Sequence, residues 1–135
     1  MAPDSIPAPL AGDGLRVALL TAQWHGEITA RLQDAALATL RAAGVKDDDI
    51  LILEVPGAYE LPQVAGWVTR GGDADAVVAL GCVIRGETPH FDFVAGECAR
   101  GLQQVALETG IPVTMGVITA DTREQADAGS GDIAG

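Results

Sequence analysis

Positive charge is scarce in this chain. Its 135 residues carry 8 Lys and Arg against 19 Asp and Glu, a formal net charge of −11. Repulsion between like charges therefore excludes nonspecific attachment to nucleic acid or to an anionic membrane as its working principle. Cysteine is equally thin: Cys82 and Cys98 are separated by fifteen residues with no CxxC pair, which signals neither a disulfide framework nor a zinc knuckle. A reduced, cytoplasmic setting is the default. No apolar run reaches the roughly 18 residues of a membrane span, and the start of the chain lacks the charged and apolar blocks of a signal peptide. Aromatic side chains make up only 4% of the residues.

What is present is a chain 48% hydrophobic with 17 glycines, long enough for one compact domain and too short for two ordinary ones. Residues 1–14, rich in Pro, Ala and Gly without periodicity, read as an arm, and residues 15–135 as the single domain. Residues 15–22 (LRVALLTA) form a short apolar run that predicts a strand buried on both faces. Residues 27–43 place Ile28, Leu32, Ala36 and Leu40 at helical spacing, stopped by Gly44. The alternation repeats with strands over 49–55, 74–83 and 113–118 and helices over 59–69 and 89–108. Pro62 is tolerated in a first helical turn, where N–H groups lack intrahelical partners. Either Asp121 with Glu124 or Thr122 with Gln125 predicts the entrance to a last helix, and the glycine-rich segment 127–135 is expected to fray into a loop. This β-α order predicts an α/β fold of three layers, a flavodoxin-like, four-stranded and mostly parallel sheet with helices on both faces.

In such sheets a ligand lies beyond the carboxyl ends of the strands. Four loops reach that edge, carrying Trp24-His25, residues 56–60 (PGAYE), residues 85–90 (RGETPH) and residues 119–122. His90 comes directly after a buried strand at the start of a helix, where an imidazole can move protons and backbone N–H groups can hold an anion. The bland alternative is a surface histidine. Trp24 is equally a plug or a stacking face for a planar ligand, Glu60 is first a carboxylate favourable to a helix start, and His25 reads as a turn residue with acid–base work as the alternative. Arg85 reads as an ion-pair residue, the backbone of Gly86 to Thr88 as an anion nest, and Cys82 as an inert buried thiol.

These residues sit in two long motifs. VPGAYELP over 55–62 resembles the VPGA(F/Y)E(I/L)P segment of the lumazine synthase family, and residues 79–92 (ALGCVIRGETPHFD) resemble its LGxVIRGxTxHFD segment. Residues 112–119 (PVTMGVIT) and 124–126 (EQA) follow in order, so the resemblance runs from about Leu15 to Ala126. It implies condensation of 5-amino-6-(D-ribitylamino)uracil with 3,4-dihydroxy-2-butanone 4-phosphate to 6,7-dimethyl-8-ribityllumazine, with no metal or organic cofactor. By the same resemblance Trp24 would stack on the pyrimidine, and Ala58, Tyr59 and Glu60 would contact that ring and its ribityl chain. Cys82, Val83 and Ile84 would line the same pocket, Gly86, Glu87 and Thr88 would hold the phosphate, and His90 would shuttle protons. The resemblance further implies a homopentamer, in some members a capsid of pentamers, with the active site between subunits, Met115 standing where a neighbour often offers an aromatic residue, and riboflavin synthase as a functional partner.

After EQA the chain departs from the family pattern. Gly129 falls at the position of a phosphate-binding arginine, and the chain reaches Gly135 before the position of the family's lysine and long terminal helix. The expectation is weakened phosphate binding and an absent final helix. The competing expectation is a noncatalytic, shell-forming or flavin- or lumazine-binding homologue.

Overall fold

The computed structural model describes residues 11–131. Its elements run β1 (Val17–Ala22), α1 (Gly26–Ala42), a 3-10 turn (Asp47–Asp49), β2 (Ile50–Val55), a second 3-10 turn (Ala58–Glu60), α2 (Leu61–Arg70), β3 (Ala76–Ile84), α3 (His90–Thr109), β4 (Val113–Ala120) and α4 (Arg123–Gly129). The four strands are all parallel in the order β2-β1-β3-β4. The predicted α/β/α arrangement is therefore present, with strand and helix limits shifted by a few residues.

β1 is buried at all six positions. It pairs with β2 on one side and β3 on the other, so every side chain faces a helix layer, which explains an apolar run without alternation. On one face Leu20, Leu61, Ala65, Val77, Cys98, Leu102 and Val105 form the larger core, joining the sheet to α2 and α3. On the other face Ile28, Cys82, Ala120 and Ala126 form a smaller core beneath α1 and α4. Cys98 is fully buried and its thiol is pushed up to about 11 by loss of solvent, as expected of a structural cysteine.

The arm read over residues 1–14 lies outside the described residues as far as residue 10. Beyond that it is tied down: the Gly12 N–H donates to the Ala43 carbonyl at 2.8 Å, and the Leu15 N–H to the Gly12 carbonyl at 3.0 Å.

The end of the domain differs from the sequence expectation, because α4 continues through Asp127, Ala128 and Gly129 where a loop was expected. Of the two candidate pairs it is Thr122 with Gln125 that caps the helix, the Gln125 side chain reaching one residue beyond the cap. The Gln125 N–H donates to Thr122 Oγ1 at 3.2 Å, while the Asp121 N–H donates to Gln125 Oε1 at 2.8 Å. Burial of Ala126 and the grip of Asp127 on Arg31 at 2.8 Å and Arg123 at 3.3 Å then hold the helix against α1. Tertiary contacts thus override the poor helix propensity of this segment. Residues 132–135 of the expected loop lie outside the described residues.

The α2–α3 packing depends on a missing side chain. A Cβ on Gly101 would come within 2.7 Å of both Cβ and Cγ of Pro62, and a proline ring cannot swing aside. Gly101→Val is expected to lower stability by about 1–3 kcal/mol through overpacking, seen as a lower urea midpoint with an unchanged slope.

Candidate active site

The chain leaves β1 toward β2 on one side and later returns to β3 on the other, so the switch point of the sheet lies between the carboxyl ends of β1 and β3. A crevice is required there, because successive loops depart in opposite directions. It is a cavity of about 290 Å³ lined by residues from four segments: Trp24 and His25 after β1, Gly57 to Glu60 after β2, Cys82 to Ile84 on β3, and His90 with Val94 on α3.

Each wall has a local cause. Trp24 is 70% exposed, which removes it from the core and leaves its indole at the cavity mouth. Its backbone N–H donates to the Pro56 carbonyl at 3.3 Å. Gly57 permits this approach, since a Cβ there would stand 3.0 Å from Trp24 Cδ1. Glu60 Oε1 accepts the Gly57 N–H at 2.9 Å, so the carboxylate does serve its helix start while also facing the cavity. Its orientation is fixed by that bond. Cys82 and Val83 form a nearly dry floor, and burial raises the Cys82 thiol, consistent with an inert side chain.

His25 is at the turn, as read from sequence, but it also lines the cavity. Its backbone is left-handed, φ 59° and ψ 53°, and it is the only non-glycine residue with positive φ among the described residues. That conformation costs an L-residue roughly 1–2 kcal/mol. Burial lowers the imidazole pKa below its ordinary 6.5, and the charge of Arg123 lowers it further.

His90 is the first residue of α3 and is exposed. Its N–H approaches Thr88 Oγ1 at 3.4 Å, joining the helix start to the preceding turn. Among the described residues, no hydrogen bond within the chain engages the N–H groups of Gly86, Glu87 or Thr88. These donors lie open to an anion beside the histidine. Arg85 braces the turn: Nε donates to Asp121 at 2.8 Å, Nη2 stands 3.5 Å from Asp92, and the guanidinium lies 4.5 Å from the Phe91 ring centre. It is an ion-pair residue, as its sequence position suggested.

A family model described as 6,7-dimethyl-8-ribityllumazine synthase matches residues 14–135. The chain belongs to the lumazine synthase family. Membership makes it a transferase of riboflavin biosynthesis. Of the residues that the resemblance to lumazine synthases implied, Trp24, Ala58, Tyr59, Glu60, Cys82, Val83, Ile84 and His90 meet around one cavity. Gly86, Glu87 and Thr88 form the adjoining exposed turn. Two others stand elsewhere within the chain: Met115 is 43% exposed on the edge strand β4, paired with Ala79, and Gly129 lies on α4 where a Cβ would meet Ile118 Cδ1 at 3.3 Å.

Sequence reasoning passed over Gly57 and Val94 as cavity walls. Val94 stood in the apolar stripe of its helix, and only the fold shows that one end of that stripe faces the crevice. The Gly in PGAYE was readable as a motif residue, but its contact with Trp24 joins positions 33 apart in the chain.

The lowered imidazole of His25 has a consequence for stability. The unfolded chain binds a proton near pH 6.5 and the folded chain binds it only at lower pH, so stability from this group is complete above 6.5 and is lost as pH falls through the folded value. The melting temperature of the wild type is expected to fall more steeply below pH 6.5 than that of His25→Asn. Parallel curves for the two proteins would refute this.

Proposed function

We propose that the chain condenses 5-amino-6-(D-ribitylamino)uracil with 3,4-dihydroxy-2-butanone 4-phosphate, forming 6,7-dimethyl-8-ribityllumazine and releasing phosphate and water. The observation that carries this reading is the placement of an aromatic face, a fixed carboxylate and an imidazole around one crevice, with an open N–H turn beside the imidazole. Trp24 stacks on the pyrimidine, the segment Ala58 to Glu60 holds the ring and its ribityl hydroxyls, and Cys82, Val83 and Ile84 form the dry surface beneath. Gly86, Glu87 and Thr88 hold the phosphate through backbone N–H groups and the Thr88 hydroxyl.

The amine is already nucleophilic, so the main contribution of the site is to pair and orient two molecules that meet slowly in water. Attack on the ketone carbonyl forms an imine with loss of water. Elimination then breaks the C–O bond to phosphate as a proton leaves the adjacent hydroxyl-bearing carbon, the resulting enol takes a proton at its terminal carbon to become a methyl ketone, and attack of the ribityl-bearing nitrogen on that new carbonyl closes the ring with loss of a second water. His90 accepts and returns these protons. No covalent bond to the protein is required.

Phosphate is held weakly in this reading. α4 carries Gly129 in place of a cation, and its Arg123 is already paired with Glu27 at 3.1 Å and Asp127 at 3.3 Å. A charge-assisted contact of the missing kind is worth about 1.5–3 kcal/mol, a factor of roughly ten to a hundred in affinity. The cavity is completed by a neighbouring subunit that contributes Met115, within a homopentamer or a capsid of pentamers in the cytoplasm, with riboflavin synthase consuming the product. The exposed Met115 on one sheet edge and the half-open Leu51 and Ile52 on the other support association.

Following lumazine absorbance with both substrates is expected to show turnover above the spontaneous rate. His90→Ala is expected to reduce kcat by about 10²–10⁴, and Gly129→Arg to lower KM for the phosphate substrate about tenfold or more while leaving KM for the uracil unchanged. A wild-type rate equal to the spontaneous one, combined with tight lumazine binding, would favour the noncatalytic homologue instead. Light scattering showing a lone monomer at working concentration would overturn the shared-site arrangement.

A further inference from the structure

His25 is costly to its own backbone and returns nothing to it. It occupies the N-cap of α1, a position where a short side chain normally accepts one of the free N–H groups of the first turn. The imidazole makes no such bond. Its main-chain carbonyl alone does the anchoring, accepting from Ile28 at 2.9 Å and Thr29 at 3.1 Å. Glycine or asparagine would adopt the left-handed conformation with less strain, and asparagine would also suit the cap. Among the described residues the ring has neither a hydrogen bond nor an ion pair. What it has is a place in the cavity wall, 6.4 Å between ring centres from Trp24 and tilted by 55° to it.

The tilt decides what the imidazole can do. A planar ligand stacked on the Trp24 indole lies inclined to the His25 ring, so the two meet edge to face or edge to edge instead of stacking. We infer that His25 is a binding residue for the polar edge of the pyrimidine, which rests on the proposed substrate class and adds a second imidazole to the site. A neutral imidazole offers one N–H donor and one bare nitrogen acceptor. A uracil edge alternates carbonyl acceptors with an N–H donor, and the neutral ring can answer either kind of group, whereas imidazolium can only donate. The surroundings favour the neutral form: Arg123 on α4 faces His25, Glu27 on α1 is taken up by Arg123, and Cys82 on β3 is held as the thiol. Tyr59, Glu60 and His90 complete the titratable lining. Strain retained at a half-buried residue whose ring, among the described residues, makes no hydrogen bond is a common mark of a ligand contact.

The test compares wild type with His25→Gly and His25→Asn, using 6,7-dimethyl-8-ribityllumazine as the calorimetric probe and steady-state rates with both substrates. Loss of one neutral hydrogen bond is expected to weaken lumazine binding and to raise KM for the uracil substrate by about threefold to tenfold in His25→Gly. KM for the phosphate substrate should stay unchanged, His25→Asn should recover part of the loss, and the melting temperature of His25→Gly at neutral pH should not fall. A purely structural His25 would instead move the melting temperature and spare the uracil KM. Equal lumazine affinity in wild type and His25→Gly would overturn the assignment whether or not turnover is seen. Lumazine binding that depends on His25 without any turnover would uphold the assignment and remove the condensation reading, while a wild type that binds no lumazine would overturn both.

Discussion

Parallel pairing of β1 with both β2 and β3 is the constraint on which the rest of the structure depends. Parallel strands end at the same edge of a sheet, so every strand-to-helix turn is delivered to one rim. The turns after β1, β2 and β3 carry Trp24-His25, Gly57 to Glu60 and Arg85 to His90, and no other folding step is needed to bring them together. The apolar continuity of β1 is what secures the pairing, since a strand buried on both faces cannot be moved to an edge without exposing leucines.

Around that rim, packing and electrostatics divide the work. The dry floor of Cys82 and Val83 strengthens polar contacts above it by excluding water, and the bond from the Gly57 N–H holds the Glu60 carboxylate in one orientation. Arg85 and its two carboxylate partners fix the turn whose N–H groups stay open. These interactions involve exposed ion pairs that add little to global stability. Their value lies in position.

The acidic balance of the chain reappears at this rim. Arg123 on α4, whose charge reaches His25, is engaged by Glu27 and Asp127, and Asp127 also engages Arg31 on α1. Arg31 and Arg123 are thus committed to holding α4 against α1. The same ion pairs let the helix persist through a segment of low propensity.

The order of elements, the strand buried on both faces and eight of the cavity residues were legible in the sequence, because hydrophobic period, turn residues and motif spacing are local properties of the chain. The family itself was legible for the same reason, through two uninterrupted motifs. The persistence of α4, the direction of Gly129 toward Ile118 and the left-handed backbone of His25 were not. Each depends on partners far away in sequence, and a residue's neighbours along the chain carry no record of what the fold will set against it.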